Sequence, residues 1–226
     1  MEETKSKWSP VVELMQKHKP IELGKYFSYW FYHTPRRMLH CMSYYKFASK
    51  LIGPSKKVLD VGCNEGIGTY LLAKECGFAQ GVDFDSEAIA SANKNFREEE
   101  NLSFLEGDFF QFNSSMKFDA VVNFDVIEHI YPKNVNRFYQ KIQSVLTDHG
   151  AVVIGTPSEI SQKFASPISK KGHVNIYSAE RLEEEMKRYF SYVFIFSAND
   201  EVVHTGYSPL AHYFLAVGCK KITQSK

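Results

Sequence analysis

The stretch Val58-Leu59-Asp60-Val61-Gly62-Cys63-Asn64-Glu65-Gly66-Ile67-Gly68 decides the fold. Lys57 to Val61 reads as a buried strand that runs straight into a glycine-rich turn, and Ile67 to Glu75 reads as the helix that follows. Glycine belongs where a backbone bends tightly and must let a ligand come close with no Cβ in the way. The spacing here is GxxxGxG. It is neither the GxGxxG that cradles a dinucleotide pyrophosphate nor the GxxxxGK[ST] of a phosphate loop.

Working outward, further β-branched runs at Phe78 to Val82, Leu102 to Glu106, Phe118 to Phe124 and Ala151 to Gly155 alternate with helical stretches at Ser86 to Phe96 and Asn134 to Leu146. That alternation predicts an α/β fold with a parallel sheet covered by helices. Ser86 is the expected N-cap of its helix, with Glu87 favourably placed against the helix dipole. After a helix at Ser178 to Tyr189, two strand-like runs, Tyr192 to Ser197 and Tyr213 to Gly218, have no helix between them. They predict an antiparallel pair that closes the sheet.

Bulk properties narrow the function. The 226 residues suit one α/β domain plus a cap. With 27 basic and 26 acidic residues, net charge +1, no global field would hold nucleic acid or an anionic membrane, so a nucleic-acid partner is disfavoured. Cys41, Cys63, Cys76 and Cys219 fall in no CxxC pair, against a zinc ribbon or a disulfide framework and for a reducing compartment. The charged, proline-interrupted N-terminus has no apolar signal core, and no apolar run reaches membrane-spanning length, so the expectation is a cytoplasmic protein without membrane insertion. Nothing in the sequence fixes an oligomeric state.

Gly81-Val82-Asp83 places a carboxylate at the end of the second strand, 21 residues after Gly62, where it can accept from both hydroxyls of a ribose. Four segments in order, VLDVGCNEGIG (58–68), GVDFD (81–85), EGDFF (106–110) and FDAVVNFDVIEHI (118–130), resemble motifs I to IV of class I S-adenosylmethionine (SAM)-dependent methyltransferases. The resemblance covers roughly residues 56 to 156, weakens in the C-terminal third, and is nearest the quinone-biosynthesis O-methyltransferases. It implies a Rossmann-like, seven-stranded, mostly parallel sheet with an antiparallel C-terminal hairpin and an N-terminal helical cap. The expected division is a cap at 1–55, a SAM-binding domain at 56–220 and a tail at 221–226.

The same resemblance implies roles for particular residues. Asp60 faces the methionine ammonium, directly or through water; Gly62, Cys63 and Gly68 give close backbone approach; Asp83 takes the ribose, with Phe84 beside the adenine. Asp108 accepts from the adenine amino group beside Phe109, and Asn123 and Phe124 line the methionine side.

Asp125-Val126-Ile127-Glu128-His129 follows the fourth strand. If helical, it puts Asp125, Glu128 and His129 on one face at the carboxyl edge of the sheet, where ligands of open α/β sheets bind. Three readings stand. His129 is a general base for an acceptor hydroxyl, oriented by Glu128. Alternatively Asp125, Glu128, His129 and the distal His173 hold a divalent cation, Mg or Mn, that lowers the pKa of the acceptor. In the third, the Glu-His pair only bonds backbone near the cofactor. Metal-dependent small-RNA 2′-O-methyltransferases and some quinone O-methyltransferases carry ExxEH and a distal histidine, which supports the second; here the first acid is the shorter Asp.

The segment Thr156 to Tyr177 reads as a mobile loop over the substrate side, with His173 and Tyr177 inward. Tyr26, Tyr29, Trp30, Tyr32, His33, Arg36 and Arg37 read as an aromatic wall with two guanidinium groups. The function expected is methyl transfer from SAM to a hydroxyl of a small-molecule acceptor. A sugar or polysaccharide precursor, an RNA 2′-hydroxyl, and a non-catalytic SAM-binding module are the alternatives. The chemistry asks little of the protein, because SAM brings its own activated methyl: the acceptor must be held in line about 3 Å away, with water excluded.

Overall fold

The computed structural model describes residues 2–17 and 19–222. Three helices come first, α1 (Glu2–Gln16), α2 (Lys25–His33) and α3 (Pro35–Ile52). Then β1 (Lys56–Val61), α4 (Ile67–Cys76), β2 (Gly77–Asp83), α5 (Ser86–Phe96), β3 (Leu102–Glu106), β4 (Phe118–Phe124), α6 (Pro132–Val145) and β5 (Leu146–Pro157) alternate. The chain continues through α7 (Pro167–Gly172), α8 (Ala179–Met186), β6 (Phe190–Asn199), β7 (Val202–His204) and β8 (Tyr213–Lys221).

One sheet holds these strands in the order β3-β2-β1-β4-β5-β8-β6-β7. The first five are parallel, and β8, β6 and β7 add antiparallel pairs. The mostly parallel sheet and its C-terminal hairpin are as the sequence predicts, and the three-residue β7 at the edge makes eight strands of the expected seven. The central strands read as continuous apolar runs because helices cover both their faces. On one face α6 buries Val135, Phe138, Tyr139, Ile142 and Val145, a helical stripe, beside Leu182 and Met186 of α8. On the other lie Tyr44, Tyr45 and Ala48 of α3 with Leu72 and Ala73 of α4.

Chain order reverses between β1 and β4, which opens a crevice at their carboxyl ends. Local chemistry departs from the sequence reading at three places around it. The cap of α5 is Asp85, one residue before Ser86, accepting from the Glu87 and Ala88 amides at 3.0 and 3.2 Å. Segment 156–177 is not one loop: it contains a 3₁₀ turn at Glu159–Phe164 and α7, capped by Ser158 and Ser166. Segment 125–129 is not an α-helix. Asp125 has φ +56°, only a single 3₁₀ turn follows at Ile127–His129, and α6 starts afresh at Pro132. A left-handed residue cannot continue a right-handed turn, and the residue before a proline avoids helical geometry. Among the described residues no helix is long and apolar enough to cross a membrane. Of the expected tail 221–226, Lys221 ends β8 and residues 223–226 lie outside the described residues.

Candidate active site

The crevice is a cavity of about 660 Å³, walled by the loops after β1, β2, β3 and β4 below and by α2 and α3 above. Gly62 sits at φ +79°, and a Cβ there would come within 2.3 Å of the Val126 side chain, so only glycine lets the loops after β1 and β4 close together.

Asp83 lies on the cavity wall at the end of β2. One carboxylate oxygen accepts from the Asn64 amide and the other from the Asp85 amide, both at 2.9 Å. The carboxylate is thus fixed, with acceptor capacity left on each oxygen for a diol. Asp108 lines the same end and accepts from the Phe110 amide at 2.9 Å. Phe84, highly exposed, and Phe109, buried, also border the cavity there. Cys63 lines it as well, and burial pushes its thiol well above its ordinary value.

Asp60 is elsewhere. It is fully enclosed, away from the cavity lining, and accepts from Tyr45 Oη at 3.0 and 3.2 Å and from Thr69 Oγ1 at 2.6 Å. Burial pushes its carboxyl up to about 7, against the pull of those hydroxyls toward the charged form. Gly68 borders the cavity, and a Cβ there would lie 2.2 Å from the Tyr45 ring, so this glycine makes room for the tyrosine that holds Asp60. Asn123 is also enclosed and donates to the Val61 carbonyl at 3.1 Å; its neighbour Phe124 does reach the wall.

The residues 125–129 point three ways. Asp125 meets Arg37 Nη2 at 3.3 Å. Glu128 turns inward, is buried, and accepts from Thr156 Oγ1 at 3.1 Å; burial, reinforced by the Asp125 charge, pushes its carboxyl well above the usual carboxylate range. His129 lines the cavity, with Nδ1 2.9 Å from the Gly172 carbonyl. A carbonyl can only accept, so Nδ1 carries a proton, and in the neutral ring Nε2 is the nitrogen with the lone pair. His173 pairs Nδ1 with Gln162 at 2.9 Å, and burial lowers its pKa. Glu128, His129 and His173 each bring one donor atom within 4.8 Å of the others; Asp125 is outside that group. Tyr177 is a core residue, enclosed and donating to Glu185 at 2.8 Å.

Of the expected aromatic wall, Tyr26, Trp30 and Arg37 line the cavity, whereas Tyr29, Tyr32, His33 and Arg36 do not. The sequence reading missed Phe27, Cys41 and Tyr45. For the two on α3 a signal is present, because Arg37, Cys41 and Tyr45 are spaced i, i+4, i+8 and share one face of that helix. It also missed Glu65. This buried carboxylate accepts from the Tyr26 and Phe27 amides at 2.7 and 3.1 Å, capping α2 from the glycine loop. Tyr26 Oη donates to Asp85 at 2.7 Å, and Lys25 pairs with Asp85 and Glu87 at 2.9 Å. The cap helix is thereby tied to both loops of the Asp83 end.

Residues 52–199 match the family model described as a methyltransferase domain. A "Probable S-adenosylmethionine-dependent methyltransferase" of Mycobacterium tuberculosis is 29% identical over 153 residues, 68% of this chain and 52% of that one. The mitochondrial ubiquinone biosynthesis O-methyltransferase of Dictyostelium discoideum is 30% identical over 126 residues, 50% of this chain and 37% of its own length. Among solved structures, the N-methyltransferase NodS of Bradyrhizobium japonicum superposes with a TM-score of 0.62 at 18% identity, covering 83% of this chain and 98% of that one. The chain spans about half the length of the first curated relatives it matches.

Proposed function

The chain belongs to the methyltransferase-domain family, and from that premise we propose that it binds SAM in the crevice and moves the methyl group to a hydroxyl of a small-molecule acceptor. One observation carries the reading: a single cavity joins a fixed carboxylate beside a glycine loop, Asp83, to the free Nε2 of a positioned imidazole, His129.

The residues fit the cofactor. Asp83 takes the ribose hydroxyls, Asp108 the adenine amino group, Phe84 and Phe109 the faces of the base, and the loop from Gly62 to Asn64 the methionine part. Asp60 acts from beneath, through Tyr45, whose ring reaches the cavity while its hydroxyl donates to Asp60. SAM, when bound, supplies a methyl already activated on a sulfonium. The chain's own tasks are then to orient the acceptor, exclude water and receive a proton. The largely apolar walls and the α2 roof exclude water, and His129 Nε2 takes the hydroxyl proton. His129→Ala is expected to lower kcat at least 100-fold and leave S-adenosylhomocysteine affinity within threefold. An unchanged rate would assign the pair a packing role.

A second reading rests on the convergence of Glu128, His129 and His173. Both imidazoles have Nδ1 occupied by an oxygen partner, the arrangement by which second-sphere groups aim Nε2 at a metal. Two nitrogens and one carboxylate suit Mn and its neighbours, not Mg, which prefers oxygen ligands. Calorimetry with Mn²⁺ and paramagnetic broadening of the His129 and His173 imidazole resonances test it apart from activity. Absence of both effects would dismiss the cation.

A further inference from the structure

Two apolar surfaces away from the cavity are left uncovered by the chain's own packing. The first is α1. Trp8, Val11, Val12 and Met15 stand at i, i+3, i+4 and i+7, on one face of that helix, with Leu14 beside them. Trp8 is 57% and Met15 65% exposed, and among the described residues none of α1 joins the buried clusters of the domain. The second is a groove of about 200 Å³ on the face of the sheet that carries α3. Leu51 and Ile52, in the last turn of α3, form one bank and Phe194 and Phe196 of β6 the other, with Val153 of β5 and Cys219 of β8 between them. Tyr192 extends the same face of β6, and both it and Phe194 are more than half exposed. The helices α6 and α8, which pack on these strands as well, lie on the opposite face of the sheet. An amphipathic helix and a bare apolar sheet face are complementary in kind, since each must bury its stripe against the other sort of element.

The linker keeps α1 out of its own chain's groove. Glu22 is pinned to α5, its amide donating to the Asn95 side chain at 3.1 Å and its carbonyl accepting from it at 2.9 Å. On this face α5, α4 and α3 lie side by side, joined by the Phe96–Tyr70 stack and by the fit of Gly68 to Tyr45. The groove is therefore three interaxial steps from α5, roughly 27 Å at 8 to 10 Å a step. The six residues from Gln16 to Glu22 reach about 20 Å at full extension, and they must pass around the helices. A second copy has no such limit.

The area is also sufficient. Trp8, Val12, Leu14 and Met15 on α1, and Leu51, Tyr192 and Phe194 at the groove, are each about half exposed. With on the order of 200 Å² for each such side chain when free, one contact covers roughly 800 Å², and a reciprocal pair about 1,500 Å², the size of a specific interface. We propose that the protein forms a two-fold dimer in which α1 of each copy lies in the sheet groove of the other. A closed two-fold exchange uses both surfaces of both chains and leaves neither bare. The contact sits at the far end of α3 from Arg37 of the cavity wall, and it is independent of the methyl-transfer reading.

The test is sedimentation equilibrium of the full chain at micromolar concentration, with Trp8→Glu, Phe194→Glu and a second groove variant, Leu51→Glu. All three positions are exposed, so parent-like thermal melts are expected. The parent is expected at twice the 26.0 kDa of one chain, and each variant should weaken the dimer at least tenfold. An equimolar mixture of Trp8→Glu and Phe194→Glu should associate again, because the intact α1 of one meets the intact groove of the other. A monomeric parent overturns the proposal. So does a Trp8→Glu protein that dimerises as the parent does, which would mean that the two grooves stack directly. So do groove variants that dimerise as the parent does, or a mixture that stays monomeric.

Discussion

Replacing Asp60 by Asn should flatten the pH dependence of stability. Asp60 is completely enclosed, and burial raises its carboxyl from an ordinary 3.8 to about 7. Between those values the folded protein keeps a proton that the unfolded chain has released. Stability therefore falls as pH rises from about 4 to about 7, and the whole loss is present above that. The interval from 3.8 to about 7, at about 1.4 kcal/mol per unit, corresponds to roughly 4 kcal/mol. Asn has the shape of the protonated acid and cannot ionise. Urea melts of both proteins at pH 5, 6, 7 and 8 isolate this group, since every other titration is common to the pair and cancels. Asp60→Asn should gain on the parent progressively, by about 2 to 4 kcal/mol between pH 5 and pH 8. A difference between the two proteins that does not change with pH would refute the assignment of a buried, raised carboxyl to this position.

Other perturbations probe the roof and the loops. Glu65→Gln weakens the cap on α2, costing about 1 to 2 kcal/mol of stability and loosening S-adenosylhomocysteine several-fold; unchanged melts and titrations would detach α2 from the site. Gly68→Ala puts a methyl into the Tyr45 ring and should cost about 1 to 3 kcal/mol, read by thermal unfolding, with a parent-like melting temperature counting against the packing described. Gly62→Ala combines a left-handed backbone with a collision against Val126, and is expected to abolish cofactor binding in calorimetry even where folded protein is recovered.

Much of this is legible in the amino-acid sequence. The alternation of strands and helices, the glycine turn and Asp83 are encoded locally, by period and by residues with few conformational alternatives, and the sheet assembles as the sequence predicts. What escaped depends on longer reach. That Asp60 is sealed beneath the loop follows from Tyr45, 15 residues earlier, and that Glu65 caps α2 follows from a contact across 38 and 39 positions. The helical face expected for Asp125, Glu128 and His129 fails on one backbone angle, a left-handed Asp125, which polar residues adopt without leaving a mark in the pattern. The convergence of His129 and His173 needed α7 to bring Gly172 onto the imidazole, a placement that spacing alone does not report.

The central claim is that the crevice is a SAM site organised by the carboxylate at the end of β2. Calorimetric titration of the full chain with S-adenosylhomocysteine, beside Asp83→Ala and with NAD as a control, measures it directly. The account predicts single-site binding of S-adenosylhomocysteine, at least tenfold weaker in Asp83→Ala, and no heat from NAD. Binding of NAD in place of the sulfur ligand, or equal affinity in the parent and Asp83→Ala, would contradict it.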